Sequence, residues 1–191
     1  RRRAAAGEFD VAISALDSIL AKTPTDQDAL KLKGDVLMYG KNQADDAIAA
    51  YRKAVEVKPD FLAGQMTLLN ILLRQGKLDD ASKQLEIVKK LAANHPQTKY
   101  YETLLAFQKK DYKLAKELSQ QLMKITPDNV QALSLAGAVE LQANSLLQAE
   151  AYLSKVVQVA PGAVLARRML TTTYLRTGQA AKAMATMQPL L

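Results

Sequence analysis

The chain has no cysteine, no tryptophan, one histidine and three phenylalanines among its 191 residues. Without cysteine there is no disulfide, no thiolate metal site and no cysteine nucleophile. That absence assigns no compartment, because a reduced cytosol and an export route both tolerate cysteine-free helical proteins. With so few aromatics and no glycine-aromatic segment, there is little on which to stack bases, which disfavours single-stranded nucleic acid as a partner. The lone histidine, His95, stands before Pro96 with no second histidine and no HExxH motif. It reads as a surface or capping residue rather than a metal ligand or catalytic base. Eight glycines and six prolines are too few for a low-complexity or collagen-like chain. No run approaches the roughly 18 apolar residues that would span a bilayer, and no charged-then-apolar signal peptide opens the chain.

What is present is 49% hydrophobic residues, enough for a substantial core, and a net charge of +7 from 26 basic and 19 acidic residues. A basic balance admits nucleic acid, anionic membrane or acidic protein partners. Most of the charges alternate along helices as solvated faces do. The exceptions are Arg1–Arg3, Lys109–Lys110–Lys113–Lys116 and Arg167–Arg168.

Catalytic constellations are not found. Asp45-Asp46 and Asp79-Asp80 resemble paired carboxylates, but each pair opens a helix, where negative charge complements the macrodipole. Neighbouring residues on a helix also diverge by about 100° and do not converge as an acid–base dyad. Thr25-Asp26-Gln27-Asp28 lacks the glycine and closing glutamate of a calcium loop. No phosphate loop or nucleophile elbow appears. The sequence points to a protein that is not an enzyme and needs no cofactor or metal.

Its organising feature is a period. Ala12, Ala47, Ala81, Ala115, Ala149 and Ala183 step by 35, 34, 34, 34 and 34. Prolines at 24, 59, 96, 127 and 161 follow with gaps of 35, 37, 31 and 34. The pattern assigns Asn42 and Gln43 to the one-residue insertion in the first gap, and reads Pro96 as displaced by three. The helix before Pro96 should then run nearly a turn longer than its siblings and the next should be shorter, with Pro96 in its first turn, where the missing N–H costs nothing. Gly40, Gly76 and Gly178 lie where a helix C-cap wants positive φ. Gly34 and Gly137 stand mid-helix, and close approach of a neighbouring chain segment compensates for their low helix propensity. The spacing predicts eleven helices, at about 8–22, 27–39, 44–57, 61–74, 78–93, 97–109, 112–125, 129–142, 146–159, 163–176 and 180–188. Thr25-Asp26, Asp60 and Asp128-Asn129 supply helix-start signals, and Pro189 should kink or fray the last helix. The opening RRRAAAGEFD reads as the tail of a helix already under way, and the chain stops inside another, so it reads as a segment of a longer protein.

The phrase Gly34-Ala47-Tyr51-Ala54-Pro59, repeated as Gly137-Ala149-Leu153-Val156-Pro161, resembles the tetratricopeptide repeat family. The resemblance implies an all-α fold: an α-solenoid (superhelix) of antiparallel helix pairs, about five to six repeats in a single domain. The units run approximately 1–25 (partial), 26–60, 61–95, 96–128, 129–162 and 163–191 (partial). It departs from the motif at Leu69 and Thr171, which replace the small first-helix residue, and at Ser119, which replaces a large one.

In that family the first helix of each pair lines a concave groove, so the resemblance implies a protein-interaction scaffold that binds a peptide or protein. The residues it places on the groove are Lys31, Tyr39, Met66, Asn70, Arg74, Tyr100, Tyr101, Arg168, Thr172 and Arg176. Some members clamp a terminal carboxylate with Lys, Asn and Arg; here Asp35 occupies an expected Asn position and would repel it. The last segment, with its ARRML and QPLL phrases, also looks like long bacterial exported lipoproteins of the PEP-CTERM and exopolysaccharide-associated type. That likeness implies an envelope role in exopolysaccharide production or protein sorting, with a lipid anchor outside this segment.

Overall fold

The computed structural model describes residues 2–191, with side chains from Gly7 onward. It is all-helical: eleven α-helices and no strand among the described residues. Contacts divide the chain into two compact units, Arg1–Ala93 and Asn94–Leu191, each built by stacking antiparallel helix pairs as in an α-solenoid.

The first unit holds α1 (Arg2–Lys22), α2 (Gln27–Asp35), α3 (Ala44–Val57), α4 (Leu62–Arg74) and α5 (Leu78–Ala92). The second holds α6 (Pro96–Gln108), α7 (Tyr112–Ile125), α8 (Val130–Gln142), α9 (Leu146–Val159), α10 (Val164–Arg176) and α11 (Ala180–Met187). First helices begin at Leu62, Pro96, Val130 and Val164, and second helices at Ala44, Leu78, Tyr112, Leu146 and Ala180. Both series advance by one constant step, the period of the later alanines, so the repeats stay in phase through Pro96. It has exchanged the closing position of a second helix for the N1 position of a first helix. Accordingly α6 has the same 13 residues as α4, α8 and α10. Helix α5, with no proline to stop it, gains one residue over its 14-residue siblings rather than most of a turn.

The extra residue of the first repeat is also placed differently from the expectation. It lies in a π-helical turn, Val36–Gly40, that continues α2, where the Lys41 N–H donates to the Val36 carbonyl at 3.1 Å. A π turn accommodates one added residue without shifting the rest of the helix. Asn42 is then in register: left-handed φ occurs at Asn42, Gly76, Lys110, Asn144 and Gly178, once in each repeat and always at the same place. These residues reverse the chain between paired helices and free the N–H beyond each to satisfy terminal carbonyls. The Gln43 N–H reaches the Leu37 carbonyl, and the Lys77 N–H that of Leu72. Gly40 is not one of these caps. A Cβ there would stand 2.6 Å from the Phe9 ring, so Phe9 is what requires a glycine.

Gly34 and Gly137 behave as expected. An added Cβ would meet the Tyr51 ring at 2.4 Å and Leu153 Cδ2 at 2.5 Å. Tyr51 and Leu153 occupy the same position in their repeats, and both are fully buried beside fully buried Ala47 and Ala149. In the second unit, Leu122, Leu133, Ala136, Leu153, Val156 and Leu170 form one continuous core.

Helix starts follow the side chains available. Asp26 and Asn129 accept from the N–H groups of Ala29 and Ala132, both at 2.9 Å, and Asp111 caps α7. Asp60 does not cap α4; Phe61 is its N-cap residue and makes no side-chain cap bond. His95 caps α6, its Nδ1 accepting from the Gln97 N–H at 3.0 Å. The last α-helix ends at Met187, and Pro189 sits in one turn of 3-10 helix, Gln188–Leu190.

Candidate functional site

On the first unit's first helices, Asp35 is the centre of a small polar network. Its carboxylate accepts from Lys31 Nζ at 2.8 Å and from the Tyr51 hydroxyl at 2.7 Å. Burial, the bond to Asp35 and the charges of Asp35 and Tyr39 push the Tyr51 phenol well above its ordinary pKa. Lys31 is therefore already neutralised, one helical turn from its partner, and is not free to hold a ligand's carboxylate. Tyr39, in the π turn, is 63% exposed. On α4, Met66 and Asn70 are half-buried and Arg74 is exposed.

In the second unit, α8 packs between α6 and α10. Tyr100 of α6 is half-buried, edge-on to Tyr101 with ring centroids 5.7 Å apart. Burial and the neighbouring Tyr101 raise the Tyr100 pKa, while a hydrogen bond with Gln131 of α8 works against them. Tyr101 itself is only 7% exposed. Adjacent residues diverge by about 100° on a helix, so Tyr100 and Tyr101 present different aspects of α6. Little of the Tyr101 side chain is therefore open to a partner. Arg168, Thr172 and Arg176 all lie exposed on α10. Thr172 Oγ1 donates to the Arg168 carbonyl at 3.1 Å, and Arg176 Nη1 reaches the Leu141 carbonyl at 3.5 Å. Arg168 has no side-chain partner among the described residues.

The electrostatics of this face follow from where its acids go. The only carboxylates on α6, α8 and α10 are Glu102 and Glu140. Glu102 lies 3.2 Å from Lys99 Nζ, and Glu140, its side chain 4% exposed, lies 3.5 Å from Lys116 Nζ. Lys116 also donates to Ser145 Oγ, so one member of the 109–116 basic run has a structural task. Arg167 has another, donating to the carbonyls of Pro161 and Thr186 at 2.6 and 3.1 Å. The side chains of Arg1–Arg3 lie outside the described residues. The Lys116–Glu140 pair was not anticipated; its one sequence signal is a glutamate among the apolar residues of Leu133–Val139. Among the described residues, no group of three or more His, Cys, Asp or Glu is placed to hold a metal ion. Among the described residues, no helix is long and apolar enough to cross a membrane.

Two tetratricopeptide-repeat family models match, over residues 1–61 and 38–106, and together they take in more than half of the sequence. The chain belongs to the tetratricopeptide repeat family. It is 25% identical over 182 residues to DnaJ homolog subfamily C member 3 of Bos taurus, a match that covers 95% of this chain and 32% of that protein. The chain thus spans about a third of the length of the curated relative it matches. Among solved structures, PilW, described as a widely conserved type IV pilus biogenesis factor, superposes with a TM-score of 0.81 at 14% identity, covering 96% of this chain and 86% of PilW. YrrB, described as a tetratricopeptide-repeat protein with an unusual peptide-binding site, gives 0.63 at 17% identity, covering 91% and 89%. At these identities the structural matches establish the repeat fold. The repeat fold it shares is one suited to protein–protein interaction.

Proposed function

We propose that the chain acts without catalysis, holding a peptide or protein segment against the exposed face of its first helices. The observation that carries this reading is the state of the charges on the second unit's face. Its two acids are paired, one of them buried, while Arg168 stands exposed and unpaired, one turn from Thr172 and two from Arg176. A partner carrying carboxylates would supply the missing acceptors, and half-buried Tyr100 offers a semi-rigid contact surface. On the first unit, Tyr39, Met66, Asn70 and Arg74 give a comparable mixture of adaptable apolar and hydrogen-bonding groups. The peptide-binding site named for YrrB supports the reading, as a case of this fold in such a role.

Charge reversal at Arg74 and Arg176 together tests the reading. A partner recovered by the wild-type chain from its host's lysate or envelope fraction should be lost to the double variant, and undiminished capture would move binding off these faces. The envelope reading, a lipoprotein acting in exopolysaccharide production or protein sorting, rests on the ARRML and QPLL phrases of the last repeat. The matched family models end at residue 106 and do not reach them. A signal peptide ending at a lipidated cysteine in the full-length protein is the observation that would favour it.

A further inference from the structure

The first unit carries a cleft of about 500 Å³ on the side opposite the first-helix face, between α1 and α3. Leu20 of α1 and Ala49 and Ala50 of α3 form its walls, and Leu30 and Leu37 from the element between them form its floor. That volume falls within the roughly 300–1,000 Å³ of ordinary ligand sites, which are likewise mostly apolar.

The repeat shows what distinguishes the cleft. Ala50 is equivalent to Gln84, Leu118, Tyr152 and Thr186, which hold the same place in the later repeats. One repeat further on, between α3 and α5, the corresponding cleft of about 460 Å³ sets the hydrogen-bonded pair Gln84 and Gln65 beside Leu68, Val55 and Ile87. In the second unit the same position carries Leu118 and Tyr152, both bulky. The first repeat carries the smallest side chain at this place, over the apolar Leu30 and Leu37.

The rim identifies what fits. Asp17 and Lys33 neutralise each other at 2.7 Å. Asp46 and Lys53 are exposed on α3 and have no partner among the described residues. Seven residues separate them, two helical turns or about 10.5 Å. An anionic membrane or a nucleic acid would be repelled by Asp46 as much as drawn by Lys53. A helix laid along α3 repeats its own side chains at that same spacing and can answer both charges at once.

We propose that this cleft is a second docking site. It takes a helical segment of a partner protein by one large apolar side chain, with a basic and an acidic residue seven positions apart set against Asp46 and Lys53. The site is independent of the first-helix faces and does not require them to be occupied.

The probe is a fluorescein-labelled helical peptide of about 16 residues, long enough to hold a helix in water. It carries a central phenylalanine with lysine and glutamate seven positions apart around it; a second peptide has the two charges exchanged. Fluorescence anisotropy with the whole chain should show binding of one peptide in preference to the other, and loss of at least about tenfold when the phenylalanine anchor becomes alanine. Ala50→Tyr, which installs the residue found at position 152, should fill the cleft and abolish binding, with circular dichroism reporting its fold. The double reversal Asp46→Lys/Lys53→Glu alters only exposed positions and should exchange the preferred peptide. Arg168→Glu should leave binding unchanged. Equal affinity for both peptides, no binding of either, or unaltered binding by a folded Ala50→Tyr would overturn the proposal. So would self-association that Ala50→Tyr abolishes while neither peptide binds, which would make a second copy the occupant.

Discussion

Gln65 and Arg167, three repeats apart, make the same hydrogen bond. Each donates to the carbonyl of the proline that closes the preceding second helix, Pro59 at 2.8 Å and Pro161 at 2.6 Å. Each is also tied to the second helix of its own pair: Gln84 donates to Gln65, and Arg167 donates to the Thr186 carbonyl. Gln84 and Thr186 are again three repeats apart, at one and the same place in the motif. The repeat therefore keeps a polar task, linking the proline turn to both helices of the next pair, while changing the side chain that performs it.

In the first unit both glutamines of this network are buried. Replacing Gln84 by leucine removes two hydrogen bonds and strands the Gln65 amide oxygen, which should cost about 1–3 kcal/mol. Gln65→Leu/Gln84→Leu together should cost less than the sum of the single changes, because no orphaned side-chain partner remains. Urea unfolding midpoints of the four proteins decide the matter, and strict additivity would contradict the network.

The two mid-helix glycines make a sharper contrast with one in a turn. Gly34→Ala must displace the Tyr51 ring, which is fully buried, and should destabilise by roughly 1–3 kcal/mol through overpacking. Gly162→Ala adds a Cβ with nothing within 4 Å and should stay within about 0.5 kcal/mol of wild type. Equal effects of the two changes on the unfolding midpoint would remove close approach as the reason for Gly34.

Tyr51 also sets a pH dependence. Its phenol ionises at higher pH in the folded protein than in the unfolded chain, where the ordinary value is about 10. The stability it contributes is therefore complete below about pH 10 and falls as pH rises beyond it, since the unfolded state loses its proton first. Tyr51→Phe should cost about 1.5 kcal/mol at neutral pH through the lost bond to Asp35. It should also flatten the decline between pH 9 and 11. Tyr100, raised in the same direction, leaves a residual slope. Parallel wild-type and variant curves across that range would show that Tyr51 is not a source of the dependence.

Much of this was legible in the sequence, because a repeat of constant length forces every helix to recur in one environment. The alanines at 47, 81, 115 and 149 fix the second helices, and all four are fully buried. What misled was residue types with two possible uses. Proline both ends a helix and begins one: Pro96 sits in the first turn of α6 as expected, but the changes in helix length inferred from its spacing shrank to one residue in α5. Glycine serves a left-handed turn or a tight contact, so Gly40 looked like a cap when it makes room for Phe9. A one-residue insertion leaves the same spacing whether it enters the turn or the helix, and hydrogen bonding placed it in the π turn. The burial of Tyr101 beside half-buried Tyr100 was not legible either, because pattern reading does not separate adjacent aromatics. The outer cleft had no motif at all, only a small residue, Ala50, where later repeats carry larger ones.

The left-handed turn residues provide a last test, since the same conformation is held by glycine at two positions and by other residues at three. A Cβ in that region costs roughly 1–2 kcal/mol for an ordinary residue, with asparagine partly compensated by local hydrogen bonding. Lys110, at φ 63°, has no such compensation and its side chain is exposed. Lys110→Gly relieves the strain but gives the unfolded chain more freedom, so the net gain should be about 0.5–1 kcal/mol. The same change at Asn42 or Asn144 should gain less. Because all three sit at one place in the repeat, thermal and urea midpoints for the three variants compare side chains in a common backbone setting. A loss of stability in Lys110→Gly would mean that the lysine side chain contributes something its exposed position does not suggest.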